Sequence, residues 1–147
     1  MKVENLRSPR EAIGGIVYLP RLLDKIRLHA DGRLPADYHP NLGGGFDARC
    51  VSFLAIAYPA LVERVTKGGT DEEILDWCFQ TGRKPSAEEI EIWNEFMRKR
   101  GWNDEGTPML QRRLREGGFD DRTDVQTFFD FIDLDEGRDP RDRTGAA

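Results

Sequence analysis

Four times along the chain a serine or threonine is followed three residues later by glutamate or glutamine: Ser8–Glu11, Thr70–Glu73, Ser86–Glu89 and Thr123–Gln126. At that spacing the hydroxyl accepts the backbone N–H of the third helical residue, and the acid or amide reaches back to the cap's own N–H. Two of the donors that a helix leaves unpaired at its start are satisfied together. Pro9, Pro59 and Pro108 stand where a first helical turn begins, and there the missing N–H removes no bond. Glycine follows as a stop at Gly32, Gly68, Gly82, Gly101 and Gly117. A chain punctuated this way is committed to many short helices and leaves little room for a sheet.

The apolar spacing between these marks is helical. Ile90, Trp93 and Met97 recur at i, i+3 and i+7, with Ile92 and Phe96 widening the stripe. Val125, Phe128, Phe129 and Ile132 repeat the pattern, and Ile74, Leu75, Cys78 and Phe79 mark a shorter helix. The pattern predicts helices near 9–13, 16–31, 46–55, 59–67, 71–81, 87–100, 108–116 and 124–134. No segment alternates with period two between hairpin turns, so no strand is expected. The fold class is all-α: an irregular multi-helix bundle, one domain over residues 1–136, with a flexible polar tail at 137–147. Leu23, Ile26, Trp93, Met97, Phe128 and Ile132 are central on their stripes and form the expected core.

The predicted helix 16–31 is the least ordinary. Ile16, Leu19, Leu22, Leu23, Ile26 and Ala30 share one broad face, while Val17 and Leu28 lie opposite among Arg21, Asp24 and Lys25. That second side calls for a cover: the long loop 33–45, another helix or a partner subunit. Pro20 inside the pattern removes a backbone donor and either bends the helix or begins a new one.

Charge narrows the partners. The net charge is −5, with a small positive excess in the first fifty residues and the negative excess toward the C-terminal end. Phosphate neutralisation needs a concentrated basic stripe, so no nucleic acid is expected. No stretch approaches the roughly 20 apolar residues that span a bilayer, so no membrane partner is expected either. Residues Met1 to Arg10 lack an apolar signal-peptide core, and Cys50 and Cys78 form no C-x-x-C pair. The expectation is a cytoplasmic protein with reduced thiols.

Motifs for cofactors and metals fail on context. Gly43-Gly44-Gly45-Phe46-Asp47-Ala48 matches G-x-G-x-x-A, but no strand precedes it and Asp47 would repel phosphate. An EF-hand register from Asp133 needs glycine at 138 and glutamate at 144, where Arg138 and Thr144 stand. Asp133, Asp135 and Glu136 then read as acids that solvate the end of an aromatic-rich helix. Two histidines and two separated cysteines give no metal spacing, so neither a metal nor a cofactor is expected.

Ser8-Pro9-Arg10-Glu11, Gly14-Gly15 and the run Leu19-Pro20-Arg21-Leu22-Leu23-Asp24-Lys25-Ile26-Arg27 occur in that order. Tyr38-His39, Asp47, Thr70-Asp71-Glu72-Glu73 and Asp133-Leu134-Asp135-Glu136 follow. This series resembles a bacterial family of unknown function, domain-of-unknown-function family 5069. In that family the loop after Tyr-His continues Asn-Cys-Pro-Leu-Asp. Here it reads Pro40-Asn41-Leu42-Gly43-Gly44-Gly45-Phe46-Asp47, without the cysteine. The resemblance implies a shared fold and transfers no catalytic residue.

Two functional readings use the same surface, residues 16–47. The leading one is a non-catalytic binding or interaction protein with a homodimeric or other protein partner. The alternative is a small-anion-binding protein or enzyme, with Arg21 and Lys25 as an anion clamp and His29 or His39 as proton carrier. Arg10, Asp24, Arg27 and Tyr38 complete the candidate ligand-binding set. The bland account of these charges is a solvated helix face with an Asp24–Arg27 pair. A deep cleft gathering Arg21 and Lys25 favours a ligand; a flat apolar patch around Val17 and Leu28 favours a protein. A weaker third reading, an acidic module, needs Asp124, Asp130, Asp133 and Asp135 exposed together.

Overall fold

The computed structural model describes residues 1–144. Its helices are α1 (Leu19–Ala30), α2 (Gly45–Leu54), α3 (Tyr58–Thr66), α4 (Asp71–Thr81), α5 (Ala87–Lys99), α6 (Thr107–Glu116), α7 (Phe128–Asp135) and α8 (Pro140–Thr144). A 3-10 helix spans Ala36–Asn41, and the only sheet among the described residues is a two-stranded hairpin, β1 (Ala12–Ile13) and β2 (Ile16–Val17). The fold is mostly α, as the caps and periods imply. The Thr70 and Ser86 boxes form as read, each hydroxyl accepting its third-residue N–H at 3.1 Å.

The hairpin corrects the predicted helix at 9–13 and the expectation of no strand. Ser8 forms a turn instead of a cap: its carbonyl takes the Glu11 N–H at 3.2 Å. Gly14 (φ 60) and Gly15 (φ 79) both adopt left-handed conformations, the requirement of a two-residue hairpin turn that pairs Ile13 with Ile16. The chain enters α1 only after Tyr18, itself left-handed at φ 76, and Pro20 falls in the first helical turn. Pro20 therefore starts α1 and does not bend it.

The Thr123 box is a second correction. Thr127 caps α7 instead, accepting the Asp130 N–H at 3.1 Å. Four of the six expected core residues are buried: Leu23, Ile26, Trp93 and Met97. Phe128 and Ile132 are only partly buried, and Ile92 and Phe96 point outward. Around α1 the core gathers Leu19, Leu22 and Leu23 with Leu54, Leu61, Ile74 and Phe129. Leu28 is covered from the far side by Leu6, Leu34, Tyr38 and Leu42, and Val17 is buried in the hairpin, so no flat apolar patch surrounds them.

Gly82 ends α4 where the chain returns against α2, and the Arg83 N–H donates to the Leu54 carbonyl at 3.0 Å. A Cβ at Gly82 would sit 1.9 Å from that carbonyl oxygen and 2.7 Å from Ile56 Cγ2. Backbone cannot step aside as a side chain end can. Gly82→Ala is expected to destabilise the protein by ~1–3 kcal/mol through overpacking, read as a lower urea midpoint at unchanged slope.

Within the expected tail, Arg122 pairs with Asp139 at 2.7 Å and Pro140 is buried. Residues 145–147 of that tail lie outside the described residues. Among the described residues no single helix is long and apolar enough to cross a membrane. α2 and α3 reach that length and composition only when taken together, but they are bent by 88° and their Leu54 and Leu61 lie in the core.

Candidate functional site

Helix α7 sets the character of the site by the way it is rotated. Its buried positions are Phe129, Asp130 and Asp133, followed by Glu136 at its C-cap. The acids meet cations from the other end of the chain. Arg10 pairs with Asp130 and, at 3.3 Å, with Asp133. Arg21 donates to both Glu136 oxygens at 2.8 and 2.6 Å, Tyr38 adds its hydroxyl at 2.9 Å, and Arg138 adds a guanidinium N–H at 2.9 Å. The reading of these acids as solvating a helix end is therefore overturned for Asp133 and Glu136, and no exposed surface gathers Asp130 with Asp133.

With its acids turned inward, α7 turns Phe128, Phe131 and Ile132 toward a cleft of about 590 Å³. Phe46 from α2 and Met109 from α6 extend this apolar wall. The floor comes from α1 and the residue before it: Tyr18, Arg21 and Lys25, one turn or less apart. Lys25 donates to both oxygens of the fully buried Asp47 at 3.0 and 3.1 Å, and Tyr18 donates to Asp47 at 2.6 Å. Gly43 gives its N–H to the same carboxylate at 3.1 Å, so that glycine donor is spent inside the protein.

The rim is cationic on the side of α2, α5 and α6. Arg49 and Arg100 both stack on Phe96, at 5.2 and 5.7 Å from its centroid, and Arg113 stands on α6. Arg100 has Asp104 at 3.5 Å. No ion pair or hydrogen bond of the Arg49 or Arg113 side chain is present among the described residues. Glu105 shares that side, while Asp37 and Asp135 stand at the end where Tyr38 meets Glu136.

Of the residues singled out from sequence, the cleft brings together Arg21, Lys25 and Tyr38. The others are elsewhere. Asp24 and Arg27 join a second network with Arg7 and Asp71, in which Arg7 reaches Asp24 at 2.9 Å and Arg27 reaches Asp71 at 2.9 Å. The expected Asp24–Arg27 pair is present at 3.7 Å. His29 and His39 meet edge to face with centroids 4.7 Å apart, on an exposed corner that does not line the cleft. The solvated-face account fails for α1, because Arg21, Asp24 and Lys25 are all buried. Burying charges on one helix demands partners, and the chain supplies Glu136, Arg7 and Asp47.

The two tyrosines of the cleft hold their protons more tightly than usual, and Lys25 less tightly. Burial, reinforced by the Asp47 charge, pushes the Tyr18 hydroxyl well above its ordinary value. Burial and then Glu136 do the same to Tyr38. For Lys25 burial lowers the value and outweighs the attraction of Asp47. Both thiols are buried, and burial raises Cys78 to about 11. No three His, Cys, Asp or Glu side chains gather as a metal-binding group among the described residues.

Sequence reasoning missed Glu136, Arg49, Arg100 and Arg113. A signal for Glu136 existed in the i, i+3, i+6 spacing of Asp130, Asp133 and Glu136, which places three acids on one helical face. A family model described as a domain of unknown function (DUF5069) matches residues 3–138. Comparison with curated proteins gave no match.

Proposed function

The chain belongs to the DUF5069 family, and from its geometry we propose that it binds, without catalysis, a small organic anion with an apolar body. The observation that carries this reading is the rotation of α7. A helix of a folded domain ordinarily buries its apolar stripe; here Phe128, Phe131 and Ile132 face a cleft while acids go inside. A concave apolar wall beside convergent charged groups is the usual build of a small-molecule site. Arg49 and Arg100, drawn together over Phe96, are suited to an anionic end group, with Arg113 beside them.

Arg21 and Lys25 contribute differently from a clamp. Each is already neutralised by an internal carboxylate, so their role is to fix the floor and not to meet the ligand's charge. Binding is favoured over proton transfer because the cleft tyrosines are pushed upward and neither imidazole lines the cleft.

An aromatic sulfonate dye whose emission rises in apolar surroundings, 8-anilinonaphthalene-1-sulfonate, combines the two required features. Titration of the native protein is expected to give one saturable site that weakens with salt. Ile132→Asp abolishes it and Arg49→Ala weakens it, whereas Ile92→Asp on the outer face of α5 leaves it unchanged. A signal that never saturates, or that survives Ile132→Asp, overturns the reading.

A further inference from the structure

α5 carries a second apolar stripe outside the core, of which only Phe96 also serves the cleft, as the ring beneath Arg49 and Arg100. Ile92 is 62% exposed, Phe96 39% and Trp102, just beyond the helix, 54%. They line a shallow groove with Glu88, Glu91, Glu95 and Lys99. The buried side of the helix, Ile90, Trp93 and Met97, lies opposite and is already packed. Glu88, Ile92, Glu95 and Lys99 fall at i, i+4, i+7 and i+11, so they form one straight outward ridge, the spacing of a helix-pairing seam.

We propose that this ridge is a two-fold, antiparallel interface between two copies of the chain. Apart from Glu95, which pairs with Lys99, charge along α5 is segregated: Glu88, Glu89 and Glu91 occupy its first half, and Arg98 and Lys99 its last turn. Laid antiparallel on itself about the Ile92–Phe96 region, the helix sets each Glu88 opposite the other copy's Lys99. Parallel pairing would set like charges together. The helix dipoles also oppose one another in the antiparallel arrangement. A two-fold contact needs a surface that complements itself, and this ridge does so in both charge and apolar contact. Existing pairs do not block it, since among the described residues Glu88 and Glu91 form no ion pair and the Lys99–Glu95 bridge at 2.7 Å is exposed. Trp102 lies at the end of the ridge and lines the same groove, which makes it a reporter.

The patch is small, so the dimer is weak and concentration-dependent. Sedimentation equilibrium over a wide concentration range is expected to show a reversible monomer–dimer equilibrium, with Trp102 emission shifting to the blue as dimer forms. Ile92→Asp, at an exposed position that folding does not use, gives monomer at every concentration. Glu88→Lys raises the dissociation constant by ~10-fold or more through like-charge contact, and adding Lys99→Glu to it restores association. A parent that stays monomeric throughout overturns the interface. So does a double variant no stronger than Glu88→Lys, because another occupant of the groove would not reverse with this chain's own Lys99.

Discussion

Glu136→Ala is expected to bring the protein close to unfolding. Its carboxylate is 3% exposed and accepts from Arg21, Tyr38 and Arg138 at once. Removing it leaves Arg21, itself 5% exposed, as a buried cation without its counter-charge. Breaking a buried pair from one side typically costs about 3–5 kcal/mol, against a total stability of about 5–15 kcal/mol for an ordinary domain. Urea unfolding is the measurement, and a midpoint within error of the parent would show that Arg21 finds another partner. Acid gives an independent check. Burial alone would raise the Glu136 carboxyl, but Arg21, then Arg138 and Tyr38, hold it below its ordinary 4.5. The unfolded chain therefore binds a proton that the native chain refuses. The group's contribution is complete above pH 4.5 and is lost as the pH falls through the lower native value. Glu136→Gln should flatten the stability profile in that window.

The local helix signals were legible because they are short-range chemistry. Thr70 and Ser86 cap as written, since a cap needs only its own next three residues. Ser8 and Thr123 carry the same letters and form no box, because each is followed by stronger constraints. After Ser8 come Gly14 and Gly15 in left-handed turn geometry. After Thr123, the Asp130 carboxyl takes the Gln126 N–H at 3.2 Å and Thr127 begins the helix. The cleft was legible only in part. Arg21, Lys25 and Tyr38 stood out by type, but their partners Glu136 and Asp47 are 115 and 22 residues from the cations they hold. Periodicity tells that α7 has an apolar arc and an acidic arc. Which arc goes inside depends on where Arg10, Arg21 and Arg138 arrive, and that is tertiary information.

Asp47 and Lys25 should behave as one energetic unit. Asp47 is fully buried and receives Lys25, Tyr18 and the Gly43 N–H. Asp47→Asn keeps the shape and an acceptor but leaves the Lys25 ammonium without a counter-charge; Lys25→Met leaves the Asp47 anion with only neutral donors. Each single change is expected to cost about 3–5 kcal/mol, and the double variant less than their sum by ~1–3 kcal/mol. The sign of the pH dependence separates this from simple loss of packing. Burial already holds Lys25 below 10.5, with Asp47 partly offsetting it. In Asp47→Asn that offset is gone and the native value drops further, so the unfolded chain binds a proton that the native chain does not. Stability of this variant must then rise with pH between the depressed native value and 10.5, as the buried amine becomes neutral. Tyr18 acts in the opposite sense only above its ordinary 10.0, where the unfolded chain gives up a proton that the native chain keeps. The buried thiols of Cys50 and Cys78 act in that same opposite sense from their ordinary 9.0 upward, so chemical denaturation of Asp47→Asn from neutral pH to about pH 8 isolates the lysine. A deficit relative to the parent that stays constant over that range would mean that Lys25 has found water or another carboxylate, and that Asp47 acts through shape alone.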